Sequence, residues 1–141
     1  MKIAHVLSLI MLLLLGLLAF IVFQRFQGDA EVGKRLAENN CGVCHDMTPN
    51  RKNGKGPYLW EIYKRPAGVV DFHFSASFRQ LVEEHPFLWD DDHLDRWLLN
   101  PQAFIPKTKM AQQSKDHPVS FDGMESAGNR KDLITYLKRL Q

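Results

Sequence analysis

Cysteine is the scarcest useful residue in this chain: 141 residues contain two, Cys41 and Cys44. No second pair of cysteines exists to complete a four-ligand zinc site, and His73, His85, His93 and His117 are too far apart to supply the usual histidine pair. Alternation of apolar and polar residues is also missing. The nearest candidate, Val69–Phe74, is short, so there is no βαβ setting for a thioredoxin-like redox pair. No repeat or low-complexity tract occurs. Net charge is small as well. The 18 Lys and Arg less Lys2 and Arg25, which flank an apolar run, equal the 16 Asp and Glu. That balance excludes a strongly basic nucleic-acid binder.

What is present is the run Cys41-Gly42-Val43-Cys44-His45. Two thiols two residues apart with a histidine next form the attachment pattern of a c-type haem. Each thiol adds to one haem vinyl group from the same turn of chain. His45 then lies where an imidazole nitrogen can bind the iron. Both thiols are used, so none remains for a disulfide. One covalent haem c is the expected cofactor, held by Cys41, Cys44 and His45.

The chain opens with an apolar run from Ile3 to Phe23, broken only by His5, Ser8 and Gly16. About 20 apolar residues span a bilayer as one helix, whereas the apolar core of a cleaved signal peptide is about 7–15 residues. A clean A-x-A cleavage site is missing; Gly28-Asp29-Ala30 is the best candidate and overlaps the first expected soluble helix. The expected organisation is an uncleaved transmembrane anchor over 1–23, a short linker over 24–28, and a haem domain over 29–141. Lys2 and the amino terminus against Arg25 say little about orientation. In known families, c-type haem is attached outside the cytoplasm. The expected location is therefore the cytoplasmic (inner) membrane, single-pass, with the haem domain on the periplasmic side.

Three helices are legible. The first has Asp29 as N-cap and runs to about Asn39. The second follows the aspartates at 90–92, carries Leu94, Trp97 and Leu98 on one face, and stops before Pro101. The third starts near Asn129, with Leu133, Tyr136, Leu137 and Leu140 at buried-stripe spacing. The fold class is all-α, with long loops that a covalent haem can support. Charge is unevenly spread. Lys34, Arg35, Arg51, Lys52, Lys55, Lys64 and Arg65 surround the haem motif in sequence, and Glu83, Glu84, Asp90, Asp91, Asp92 and Asp95 follow. Two solvated faces explain this as well as a dipole that steers the basic side onto an acidic partner.

From Gly28 to Gln141 the sequence resembles class I cytochrome c of the mitochondrial type. Gly28–Lys34 looks like the family's first helix, with Gly33 where a glycine lets the first and last helices cross. Lys55-Gly56-Pro57-Tyr58-Leu59 resembles the loop whose proline carbonyl holds the proximal histidine. Arg65 and Trp89 match residues near a haem propionate. Asn100-Pro101-Gln102-Ala103-Phe104-Ile105-Pro106-Lys107-Thr108-Lys109-Met110 resembles the loop that delivers a methionine ligand. Arg130–Leu137 resembles the closing helix. The resemblance implies a class I cytochrome c fold around one haem. His45 and Met110 would be its iron ligands, with Pro57, Arg65, Trp89 and Thr108 around them. Met47, Met124 and the later histidines are the internal competitors of Met110.

There are departures from the family pattern. Trp97 replaces a tyrosine beside the methionine, and Ala37 replaces an aromatic at the helix crossing, with Leu36 as a partial substitute. Gln112 replaces an aromatic near the haem edge. Met110–Arg130 is longer than the family norm by about nine residues, and 66–88 carries a small insertion. Filled axial positions exclude small ligands and leave one-electron chemistry. The implied function is a membrane-tethered electron carrier of a respiratory or photosynthetic chain. It would take electrons from a cytochrome bc-type reductase to a terminal oxidase or other acceptor. The partners are these membrane complexes and the bilayer around residues 3–23, with no nucleic acid. The alternatives are a fixed haem subunit of a larger membrane oxidoreductase, and a haem ligand sensor or peroxidase.

Overall fold

The computed structural model describes residues 2–113 and 119–141, the side chains of 2–4 and 24–26 apart. His117 and part of the long 111–129 segment lie outside the described residues. The described chain is mostly helical and contains no strand. Its one β feature is an isolated antiparallel bridge between Pro66 and Leu88.

The first helix, α1, spans Lys2–Phe26. It packs against none of the other helices, and its apolar side chains from Val6 to Phe23 are exposed. Three of the five residues expected as linker are helical, so only Gln27, Gly28 and Asp29 separate α1 from α2, Ala30–Asn40. Asp29 caps α2 as expected, its carboxylate accepting from the N–H groups of Glu31 and Val32.

The remaining helices are α3 (Ala76–Glu84), α4 (Asp91–Leu99), α5 (Pro101–Phe104) and α6 (Ala127–Leu137). Asp90 caps α4 and thereby gives part of the acidic run a structural purpose. Asn100 ends α4 and caps α5, with Pro101 at a position where its missing N–H costs nothing. Ser126 caps α6 and starts it at Ala127, two residues before the expected Asn129. Leu140 lies beyond the end of α6, yet it is buried and its carbonyl accepts from Glu61 N–H at 2.7 Å. α3 was not expected. Ser75 accepts from Phe78 N–H to start it, and Phe78, Leu81 and Val82 give it a core-facing stripe. Val69–Phe74 is loop.

α2 crosses α6 where Gly33 faces the Asp132 carbonyl. Ala37 is fully buried at 0 % exposure, so a small residue stands inside the core at this crossing. Leu36 is only half-buried, and Tyr136 of α6 packs against the core instead. Leu94 and Leu98 of α4, Leu133 and Leu137 of α6, and Ile105 complete this wall.

Candidate haem site

The segment after α2 folds into a turn that brings both thiols and His45 to one place. His45 N–H donates to the Cys41 carbonyl at 2.9 Å, and Cys44 N–H does so at 3.0 Å. The loop over 53–59 then folds back on this turn. Gly56 N–H donates to the Cys44 carbonyl at 2.9 Å, and Leu59 N–H to the Asp46 carbonyl at 2.8 Å. These bonds place the Pro57 carbonyl 2.6 Å from His45 Nδ1. A carbonyl only accepts, so Nδ1 carries the proton and Nε2 keeps its lone pair. Desolvation holds the His45 pKa below its ordinary value, outweighing the Pro57 contact, and favours the neutral, ligating form.

Burial pushes the Cys41 thiol up to about 12, with the Cys44 thiol adding to it. Reactive redox cysteines have the opposite shift. This argues against the redox-pair reading and leaves Cys41 a neutral thiol set into an apolar wall.

The backbone of 64–67 runs beside 87–89. Lys64 N–H donates to the Trp89 carbonyl at 2.9 Å, Trp89 N–H to the Arg65 carbonyl at 3.0 Å, and Ala67 N–H to the Phe87 carbonyl at 2.9 Å. This pairing sets Arg65 and Trp89 side by side. Arg65 donates to the carbonyls of Tyr58 at 2.8 Å and Trp60 at 3.0 Å, with its guanidinium over the Tyr58 ring. Further along the chain, Ile105, Pro106 and Lys107 lead into a short 3-10 turn, Lys109–Ala111, that carries Met110. Lys107 takes the left-handed φ of 61°, held by its N–H on Gln102 Oε1 at 2.8 Å. Phe121 N–H closes on the Met110 carbonyl at 3.0 Å.

One cavity of about 240 Å³ receives Cys41, Cys44, His45, Pro57, Arg65, Trp89, Thr108 and Met110 together. Trp97 and Phe121 also line it. Met47 and Met124 lie outside it, packed against the core. His73, His85 and His93 are outside it as well, and His93 is occupied by Asp90 at 2.8 Å and the Phe87 ring. Among the described residues no cluster of His, Cys, Asp or Glu offers another metal site. Neither the Trp89 indole N–H nor the Thr108 hydroxyl has a protein partner among the described residues. No fully buried side-chain polar atom is unpaired there, so both open onto the cavity. An apolar slot lined by two thiols, a tautomer-fixed imidazole, a thioether and a few polar groups fits a covalent haem. Trp97 is half-buried and meets Trp89 and Phe104 edge-on, so it contributes both to the cavity and to the core.

Two residues that the sequence showed only as members of a motif, with no role of their own, shape the site. Arg130 is buried and ties α6 to α4 through Asp95 at 2.7 Å. It also binds the carbonyls of Met124 at 2.9 Å and Glu125 at 2.8 Å, anchoring the end of the long segment after Met110. Gly56 has the His45 ring where its side chain would be: a Cβ there would stand 2.6 Å from Nδ1 and 2.8 Å from Nε2. Gly56→Ala is expected to tilt the imidazole off the Pro57 carbonyl. The checking measurement is the low-spin fraction of the ferric optical spectrum, expected to fall below that of the wild type. An unchanged spectrum would show that the ring tolerates a methyl group there.

No family model matches the chain. Individual curated proteins do. Cytochrome c of Euglena viridis is 33 % identical over 114 residues, covering 81 % of this chain and 99 % of that protein. Cytochrome c of Arabidopsis thaliana is 34 % identical over 112 residues, covering 79 % and 89 %. A cytochrome c homolog of Rickettsia felis is 32 % identical over 111 residues, covering 78 % of this chain and 55 % of the relative.

Proposed function

The chain belongs to the cytochrome c family, and from that premise we propose that it is a membrane-tethered one-electron carrier in which His45 and Met110 would hold the haem iron. It is an electron-transfer protein with one covalently attached haem c, not a catalytic enzyme. The haem supplies the redox change. The observation that carries the reading is the convergence of Cys41, Cys44, His45 and Met110 on one cavity. Pro57 orients His45, and the thioether of Met110 favours the ferrous state and raises the reduction potential. Arg65, Trp89 and Thr108 shape the rest of the pocket. If His45 and Met110 both hold the iron, no position would remain on it for oxygen or peroxide. The optical spectrum tests this. A ferric Met–iron charge-transfer band with no response to carbon monoxide is expected. Rapid carbon monoxide binding by the wild type would favour a sensor or peroxidase.

The anchor is α1. Its 19 residues His5–Phe23 are long and apolar enough to cross a bilayer and are covered by none of the other described residues. The proposed placement is the cytoplasmic membrane, with the haem domain on the periplasmic side. The donors and acceptors would be membrane reductases and oxidases of a respiratory or photosynthetic chain. Tethering confines the carrier to the membrane plane and raises its effective concentration near such partners. Deleting residues 1–26 is expected to slow electron delivery to membrane partners while leaving the haem spectrum unchanged. Equal turnover at matched bulk concentration would sink the tether's role.

The short Gln27–Asp29 junction favours a second reading, a resident haem subunit of a larger membrane oxidoreductase. Purification through mild detergent separates the two: a carrier comes away alone, a subunit with its complex.

A further inference from the structure

We propose that Phe121 is a positioning residue for Met110, and that residues 119–125 form a strap that keeps the thioether in the cavity. The proposal rests on the reading of Met110 as an iron ligand.

Met110 has little support of its own. The turn that carries it, Lys109–Ala111, is three residues long, and its cap Thr108 gives it no side-chain hydrogen bond. The bonds on either side of it are long. Thr108 N–H donates to the Ile105 carbonyl and Gln112 N–H to the Lys109 carbonyl, each at 3.2 Å. Lys109 Nζ reaches the His73 carbonyl only at 3.5 Å. Met110 is half-buried and stands outside the hydrophobic cluster packed on the core, to which Trp97, Phe104, Phe121 and Met124 belong. A methionine side chain is unbranched and flexible, so a short turn alone does not fix where its sulfur points.

The chain comes back to this turn at Phe121. Its N–H donates to the Met110 carbonyl at 3.0 Å. Val119, Ser120 and Phe121 line the same cavity as Met110. The Phe121 side chain is half-buried and also packs on the core. One backbone hydrogen bond adds little net stability, and the apolar area under the ring supplies the larger share of the hold.

The strap is pinned to the core beyond the ring. Met124 N–H donates to the carbonyl of Leu98, a buried residue of α4, at 2.8 Å. Gly123, at φ 127°, lies flat on the end of α4. A Cβ there would overlap the Leu99 carbonyl oxygen and stand 3.0 Å from its carbon. The buried Arg130 donates to the carbonyls of Met124 and Glu125 at 2.9 and 2.8 Å. The Met110 turn is thus coupled through Phe121 to α4 and α6. Lifting the strap removes that coupling and frees the thioether to leave.

The test uses the holoprotein, with carbon monoxide as the probe. The apparent affinity of the ferrous protein for carbon monoxide scales with the fraction of molecules whose thioether has left the iron. Phe121→Ala removes the ring, and Phe121→Leu restores apolar bulk. Gly123→Ala forces the strap off α4 without changing a residue that lines the cavity. Tyr136→Ala loosens the α2/α6 crossing, away from the cavity. Phe121→Ala and Gly123→Ala are each expected to raise the carbon monoxide affinity by about tenfold or more. Both should also lose the ferric Met–iron band on heating before their helices melt by circular dichroism. Phe121→Leu is expected to return most of the way to the wild type. Tyr136→Ala is expected to lower Tm and leave the carbon monoxide affinity unchanged. Wild-type affinity in both strap variants would overturn the strap and leave Met110 on the iron. A rise that merely tracks the fall in Tm, Tyr136→Ala included, would reduce Phe121 to core filling and overturn it too. A wild type without the Met–iron band would overturn the Met110 reading, and this proposal with it.

Discussion

Met110→Ala is expected to turn a closed centre into one that binds carbon monoxide, with loss of the ferric Met–iron charge-transfer band. The reduction potential should fall by something on the order of 0.1 V, within the roughly 0.8 V range that axial ligands control. The direction follows from softness, since a thioether favours Fe(II) over Fe(III). The size of the effect follows from the absence of a replacement among the described residues. Met47 and Met124 lie outside the cavity, and so do His73, His85 and His93. The loop itself should survive the change, because Thr108 N–H is bound to the Ile105 carbonyl and Phe121 N–H to the Met110 carbonyl, both through the backbone. Redox titration and carbon monoxide difference spectra check the outcome. A variant that keeps the wild-type spectrum and ignores carbon monoxide would remove Met110 from the iron.

The second large effect is expected at the helix crossing. In Gly33→Ala the new Cβ would overlap the Asp132 carbonyl oxygen, and stand 2.6 Å from its carbon and 2.8 Å from Tyr136 Cβ. Two of these atoms are backbone, so no rotamer relieves the overlap, and α2 must move off α6. Overpacking of this kind costs about 1–3 kcal/mol, occasionally more. The helix-propensity gain of alanine over glycine offsets about 1 kcal/mol of it. A net loss of up to about 2 kcal/mol corresponds to a Tm fall of up to roughly 8 °C for a domain of this size. Gly128→Ala is the control. It sits in α6 with only Ser126 Oγ nearby, at 3.8 Å, and is expected to be neutral or slightly stabilising. Thermal melts of the two variants, followed by circular dichroism, decide the matter. Equal Tm values would mean that the crossing is looser than its geometry.

The helices legible in the sequence are those with both a cap and a stripe. Asp29, the Asp90–Asp92 run and the Leu133–Leu137 pattern announce α2, α4 and α6. α3 has the same grammar, Ser75 followed by Phe78, Leu81 and Val82, but it lies in a stretch that reads as an insertion. Four-residue α5 is too short for periodicity to show, and only Asn100-Pro101 marks it. The site was legible where its residues are neighbours in sequence, as in Cys41–His45, or where a loop carries a distinctive order, as in Ile105–Met110. Arg130 was not, because its partner Asp95 lies 35 residues away and becomes a neighbour only when α4 and α6 pack. Gly56 was hidden for a related reason, since its importance lies in the ring that fills its missing side chain.

The placement of α2 and α6 has a consequence in time. The thiols and His45 follow α2 directly, while α6 is the last helix of the chain. At about 5–20 residues per second, several seconds of synthesis separate the two. Throughout that interval Leu133 and Leu137 have not yet arrived to complete the wall, and Cys41 and Cys44 stand in open chain. The loop that finally closes takes in nearly the whole domain, but its entropic cost grows only with the logarithm of its length. The order of the chain thus makes the two thiols before it makes the helix that helps to wall them in.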